Sequence, residues 1–227
     1  LKDVSRIAII GGHGKIALHL ARIVTDGGDH VTSVFRNPDH ADDVAATGAR
    51  PAVADIENLD TGALADLLAG HDAVVFSAGA GGGDPARTYA VDRDAAIRVI
   101  DAAGQVGVRR FVMVSYFGAG PDHGVSQTNS FFAYAEAKAA ADAHLRASDL
   151  DWTVVGPGRL TLEPGTGKIA VGAQDRREAG ETRGVSREDV AAVAAAVLND
   201  DSTIRRTIDF NNGDLPILEA LATSGDR

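Results

Sequence analysis

Arg6-Ile7-Ala8-Ile9-Ile10-Gly11-Gly12-His13-Gly14-Lys15-Ile16-Ala17 is the stretch that decides the fold. A short apolar run ends on glycines, and the apolar positions then change their spacing. Ile16, Leu20, Ile23 and Val24 gather on one side of a helix running Lys15–Asp26. The reading is strand, tight turn, helix. Glycines at 11, 12 and 14 permit tight backbone geometry and close approach by a pyrophosphate, and the helix start presents free N–H groups to that anion. His13, Lys15 and Ile16 belong to the same anion-facing turn. Ala17 stands where such turns often carry a third glycine, and it is small enough for close helix–strand packing. The turn therefore predicts a bound dinucleotide.

The same alternation continues along the chain. Further strands are expected at His30–Phe35, Arg50–Ala54, Ala73–Phe76, Arg109–Ser115, Trp152–Val155 and Thr207–Phe210. Helical patterns lie between them, around Leu64, Leu67 and Leu68, over Ala90–Ala103, Tyr134–Ala147 and Arg187–Leu198. Strands apolar on both faces belong to parallel sheets covered by helices. The expected fold is α/β: a Rossmann-type doubly wound parallel sheet with helices on both faces. One domain over 1–227 is expected, with a small C-terminal extension whose part 156–227 lines the substrate side. The least regular stretches, Gly79–Pro85, Gly118–Asn129 and Glu163–Glu181, each follow a strand and are candidate walls of a site.

The composition narrows the function. Of 227 residues 44% are hydrophobic and 24% charged, enough for a full core without staples. No cysteine is present, which excludes disulfides, thiolate metal sites and a cysteine nucleophile. The net charge of −10 argues against nucleic acid as a partner, because phosphate neutralisation needs a basic face. The pairs Arg176-Arg177 and Arg205-Arg206 read as solvated surface. No apolar stretch suits a membrane span and no secretory pattern stands at the start, so a cytoplasmic protein is expected, monomeric or a small homo-oligomer, with a small-molecule substrate.

The end of the second strand selects the cofactor. Val34-Phe35-Arg36-Asn37 places a cation where an NAD site would carry Asp or Glu for the ribose 2′-hydroxyl. Arg36 can hold a 2′-phosphate as a planar fork, with Asn37 or Lys15 assisting, so NADP(H) is expected over NAD(H). An exposed loop arginine is the plainer reading. Asp55-Ile56, after the third strand, can hold an adenine by hydrogen bond and packing, or can simply cap the following helix. Ser77-Ala78-Gly79, after the fourth strand, would let a nicotinamide ribose lie against the backbone.

Candidate chemistry lies in Tyr134-Ala135-Glu136-Ala137-Lys138. Residues four apart share a helix face, and a lysine beside a phenol favours the phenolate, so Tyr134 could exchange a proton near neutral pH. The alternative is a solvated helix face with Tyr134 packed at its end. Ser115, at the end of the fifth strand, could polarise a substrate carbonyl. The histidines show no metal-ligand spacing, and no metal site is expected.

Together these features resemble the short-chain dehydrogenase/reductase superfamily, and more closely its atypical NmrA-like and biliverdin-reductase-B-like members. The carriers are the glycine turn, Arg36-Asn37-Pro38, Ala54-Asp55-Ile56, Phe76-Ser77-Ala78-Gly79, Tyr134-x-x-x-Lys138, the segment Ala147–Gly158 and Val185–Ala191. The resemblance implies NAD(P) binding, with Pro157 and Gly158 beside the nicotinamide. It also implies Ser-Tyr-Lys chemistry: Tyr134 exchanging the substrate proton, Lys138 binding the nicotinamide ribose and lowering the tyrosine pKa, and Ser115 orienting the carbonyl. Gly156 departs from the arginine often found before Pro-Gly. The expected function is an NADP(H)-dependent oxidoreductase reducing a small carbonyl or related acceptor. The alternatives are a non-catalytic NADP(H)-binding redox sensor and an NAD(P)-dependent epimerase or dehydratase.

Overall fold

A computed structural model describes residues 4–172 and 184–224; Arg176-Arg177 and the end of the Glu163–Glu181 stretch lie outside the described residues. Strands β1 (Arg6–Ile10), β2 (His30–Phe35), β3 (Arg50–Val53), β4 (Ala73–Phe76), β5 (Arg110–Val114), β6 (Asp151–Pro157) and β10 (Arg206–Asn212) run parallel, in the order β3-β2-β1-β4-β5-β6-β10. Register pairs such as Ile9↔Ser33, Ile9↔Val75 and Val75↔Val112 carry the sheet through its centre. This is the expected Rossmann-type α/β sheet.

The helices are α1 (Lys15–Asp26), α2 (Ala41–Ala45), α3 (Thr61–Leu68), α4 (Pro85–Thr88), α5 (Ala96–Gln105), α6 (Phe132–Ala147), α7 (Arg187–Leu198) and α8 (Ile217–Thr223). They cover both faces. Successive residues of a strand point to opposite sides. Ile7 and Ile9 therefore enter a core with α1, α7 and α8, whereas Ala8 and Ile10 enter a second core with α3, α5 and α6. Leu20 of α1 and Leu64 of α3 are both fully buried. Burial of such a side chain stabilises by about 1.5–3 kcal/mol.

Two features differ from expectation. The edge beyond β10 is antiparallel: β8 (Lys168–Val171) pairs with β10, and β11 (Leu215–Pro216) pairs with β8. So part of Glu163–Glu181 is strand rather than loop. A separate ribbon joins β7 (Leu160–Thr161) to β9 (Val185–Ser186). The start of α7 anchors this region. Ser186 caps the helix by accepting from the Asp189 amide at 2.9 Å, and the Asp189 carboxylate accepts from the amides of Thr166 and Gly167 at 2.9 and 2.8 Å. The second difference is that Tyr89–Ala95, between α4 and α5, is π-helical. Such turns are rare and frequent at functional sites.

Candidate functional site

The strand order reverses between β1 and β4, and ligands of open α/β sheets bind in the crevice at that point. There the glycine turn knits three strand ends together. The amides of Gly11 and Gly12 both donate to the Val34 carbonyl, at 2.9 and 2.8 Å. Gly11 has φ +86°, and a Cβ on it would lie 2.5 Å from Ala78 Cα. A Cβ on Gly12 would lie 2.5 Å from Ser33 Cβ. Gly12 thus stands outside the cavity, and contact with β2 accounts for its lack of a side chain. Gly14 precedes α1, and no side chain among the described residues caps that helix, so its first N–H groups point to the crevice. The side chain of Ile16 is buried in the core; only its backbone serves the turn. Lys15 is exposed and lines a neighbouring depression beside Thr161, Leu162 and Glu163.

A cavity of about 320 Å³ opens against this turn. It brings together Gly11, His13, Gly14, Arg36, Asn37, Asp55, Ile56, Ser77, Ala78 and Gly79, all singled out by the sequence, and adds His40, Glu57 and Arg87. Glu57 lies between two cations, 3.9 Å from Arg36 Nη1 and 3.6 Å from Arg87 Nε. His13 stacks on His40 with centroids 3.6 Å apart and reaches Asp43 at 2.9 Å. Asn37 spends its side-chain oxygen on the Asp39 amide at 3.0 Å. Asp55 both lines the cavity and closes its own turn, accepting from the Glu57 amide at 3.1 Å and from the Asn58 side chain at 2.8 Å. The cradle at Gly11 and the uncapped helix start fit the pyrophosphate of a dinucleotide, and Arg36 and Arg87 add two cations to the same cavity.

The second group of residues lies where α6 covers β4 and β5. Tyr134, Lys138 and Asp142 recur every four residues and so share one face. Lys138 is 1% exposed, with Nζ 3.3 Å from Met113 Sδ and 5.7 Å from the centre of the Phe76 ring. Ser115 Oγ is hydrogen-bonded to Asp142 Oδ2 at 2.6 Å, and both residues are buried. Asp142 was not legible as a site residue, although it continues the Tyr134–Lys138 spacing. Asp92, in the π-helical turn, is equally buried and accepts from the Ala80 amide at 3.0 Å, tying this cluster to the Ser77–Ala80 loop.

Burial dominates the electrostatics. It pushes the Asp142 and Asp92 carboxyls above the usual carboxylate range, against the pull of Lys138. It draws the Lys138 ammonium below the usual lysine range, against the pull of Asp142 and Asp92. The phenol of Tyr134 is pushed up by desolvation, with Asp92, Asp142 and Tyr116 acting in the same direction. The expectation that Lys138 lowers the tyrosine pKa is therefore not met. The ammonium sits among carboxylates instead of charging the phenol's surroundings positively. The Ser115 hydroxyl is engaged with Asp142.

Tyr134 is half-buried within an aromatic group, with Phe131 and Tyr116 centroids at 5.1 and 5.6 Å. Pro157 ends β6 and is buried, and the Gly158 amide donates to Phe210 at 2.9 Å. A Cβ on Gly156 would lie 2.0 Å from Asp209 Oδ1, whose partner oxygen accepts from the Gly118 amide at 3.1 Å. Asp209 thus fills the space that a side chain at 156 would take. Gly156→Arg is expected to destabilise the fold by about 3 kcal/mol through overpacking, read as a lower denaturation midpoint; an unchanged midpoint would show that Asp209 can leave.

The family model described as NAD(P)H-binding matches residues 11–201. An uncharacterised sugar epimerase of Bacillus subtilis, YhfK, is 36% identical, over 95% of this chain and 98% of the relative. A proposed NAD-dependent epimerase/dehydratase of Bacillus halodurans is similar in structure, with TM-score 0.86 and 32% identity, covering 96% of this chain and 99% of the other. ChuY, an anaerobillin reductase of Escherichia coli O157:H7, shares the fold at TM-score 0.73 and 22% identity, over 93% of this chain and 98% of the other.

Proposed function

The chain belongs to the NAD(P)H-binding family, and from that membership we propose that it is an NADP(H)-dependent oxidoreductase that reduces a small carbonyl or related acceptor. The observation that carries this reading is the face of α6. On it Asp142 is hydrogen-bonded to Ser115 at the end of β5, Lys138 lies against Met113 and Phe76 one turn earlier, Tyr134 stands one turn before that, and Asp92 connects this face to the Ser77–Ala80 wall of the cavity. The glycine turn and α1 would hold the pyrophosphate, Arg36 and Arg87 the 2′-phosphate, and Lys138 with Ser77 and Ala78 the nicotinamide ribose. When bound, NADPH supplies a hydride. Tyr134, neutral at physiological pH, donates the proton to the substrate oxygen, Ser115 orients the carbonyl, and the Tyr116–Phe131–Tyr134 group excludes water from one side.

NADPH oxidation over a panel of aldehydes, ketones and quinones tests the proposal, with turnover expected for at least one class. The name of the YhfK relative favours a second reading, an epimerase. An epimerase oxidises and re-reduces its substrate, so it consumes no net cofactor. Product formation from a sugar nucleotide without NADPH loss would select it. Cofactor binding with neither outcome would select a redox sensor.

A further inference from the structure

We propose that Asp142 is a positioning residue that carries a proton in the resting protein and donates it in a hydrogen bond to Ser115 Oγ, leaving the serine hydrogen free to point at substrate. The inference deepens the reductase reading and rests on it for the role of Ser115. Ser115 has a single hydrogen. If the serine donates to Asp142 across the observed 2.6 Å, it has nothing left to polarise a carbonyl. With the acid on Asp142 the polarity reverses: the carboxyl O–H donates, and Ser115 becomes an outward donor.

The charge balance of the pocket favours this arrangement. Asp142 meets Ser115 from β5 and Lys138, Arg146 and Tyr134 from its own helix, and Lys138 in turn faces both Asp142 and Asp92 of the π-helical turn, the latter also facing Arg87. Lys138, Asp92 and Asp142 are each at most 1% exposed. Arg146 and Arg87 are only part-buried, so among the groups held out of water one ammonium with two ionised carboxylates would leave a net negative charge, which is costly. A single proton on one of the two carboxyls removes it. Asp92 keeps its charge more easily because it accepts from the Ala80 amide at 3.0 Å. Asp142 receives no backbone donor among the described residues, and its Oδ1 is buried with no hydrogen-bond partner among them. The proton therefore resides on Asp142. Its burial, which raises the carboxyl pKa, acts in the same direction.

Infrared spectroscopy of the full chain, with aspartate carboxyls isotopically labelled, reads this directly and needs no substrate. At neutral pH a buried carboxylic-acid C=O band is expected in the wild type. By the same charge balance it should vanish in Asp142→Asn and also in Asp92→Asn, where a single carboxyl is left to face the ammonium and ionises, and it should move in Ser115→Ala, which removes its acceptor and so assigns the band to Asp142. A wild type without the band, a band that survives Asp142→Asn, or a band unmoved in Ser115→Ala overturns the proposal. The kinetic arm uses the conservative pair. Asp142→Leu should lower kcat by about tenfold, and Asp142→Asn should restore most of that rate because its amide N–H can still donate to Ser115. Equal losses in the two variants, with melting and NADPH binding intact, would also overturn it. If no carbonyl is turned over at all, the reductase reading fails, and the infrared band still decides the protonation of Asp142.

Discussion

Replacing Tyr134 with phenylalanine is expected to lower kcat for carbonyl reduction by about a hundredfold to ten-thousandfold, the usual worth of a positioned general acid. The Kd for NADPH should stay within about twofold, because the phenol hydroxyl belongs to the reacting end and not to the phosphate turn. The pH dependence follows from the raised tyrosine pKa. A general acid must be protonated to act. A phenol whose pKa lies above the ordinary value of about 10 stays protonated through the neutral and mildly alkaline range. The kcat for reduction should therefore show no alkaline loss from Tyr134 below that value, and alcohol oxidation, which needs the phenolate, should rise with pH. Steady-state kcat profiles in both directions check this. An unchanged kcat in Tyr134→Phe would remove the residue from proton transfer.

The Arg36→Ala variant should raise KM for NADPH by about ten- to hundredfold while changing that for NADH by no more than about twofold. A charge-assisted contact is worth about 1.5–3 kcal/mol, and only NADPH carries the 2′-phosphate. Arg87→Ala should act in the same direction with a smaller effect, since both guanidinium groups lie within 4.0 Å of Glu57 Oε2, Arg36 at 3.9 Å and Arg87 at 3.6 Å. Glu57→Gln tests the electrostatics from the other side. Removing the carboxylate that both cations face should tighten NADPH by about threefold, an effect that salt should diminish. Equal losses for the two cofactors in Arg36→Ala would mean that Arg36 reads a feature they share, such as the adenine.

Much of the fold was legible because its cause is local. The seven parallel strands show as apolar runs between helical patterns, and α7 shows over Arg187–Leu198 from the helical spacing of Val190, Val193 and Val197. The antiparallel edge was not legible. Lys168–Val171 is short and glycine-flanked, and its strand character comes from pairing with β10. The π-helical turn was missed because its apolar residues obey the same spacing as the flanking helix. Within the candidate site, Arg36 was found from its place after β2, whereas Arg87 was not, because it reaches Glu57 from α4, distant in sequence.

The sequence by itself determined the alternation of strand and helix, the glycine turn at 11, 12 and 14, and the face on which Tyr134 and Lys138 stand together. These depend on spacing along one segment and on the conformational freedom of glycine. Only the tertiary structure decided the environment of that face. An aspartate on a helix reads as solvated until β5 and the π-helical turn close over it. Once they do, desolvation outweighs the attraction of Lys138, raises the Asp142 and Asp92 carboxyls and keeps the Tyr134 phenol neutral. The lysine expected to charge the tyrosine is instead held among two buried carboxyls, because burial acts through the whole surroundings of a group and not through its neighbours in sequence.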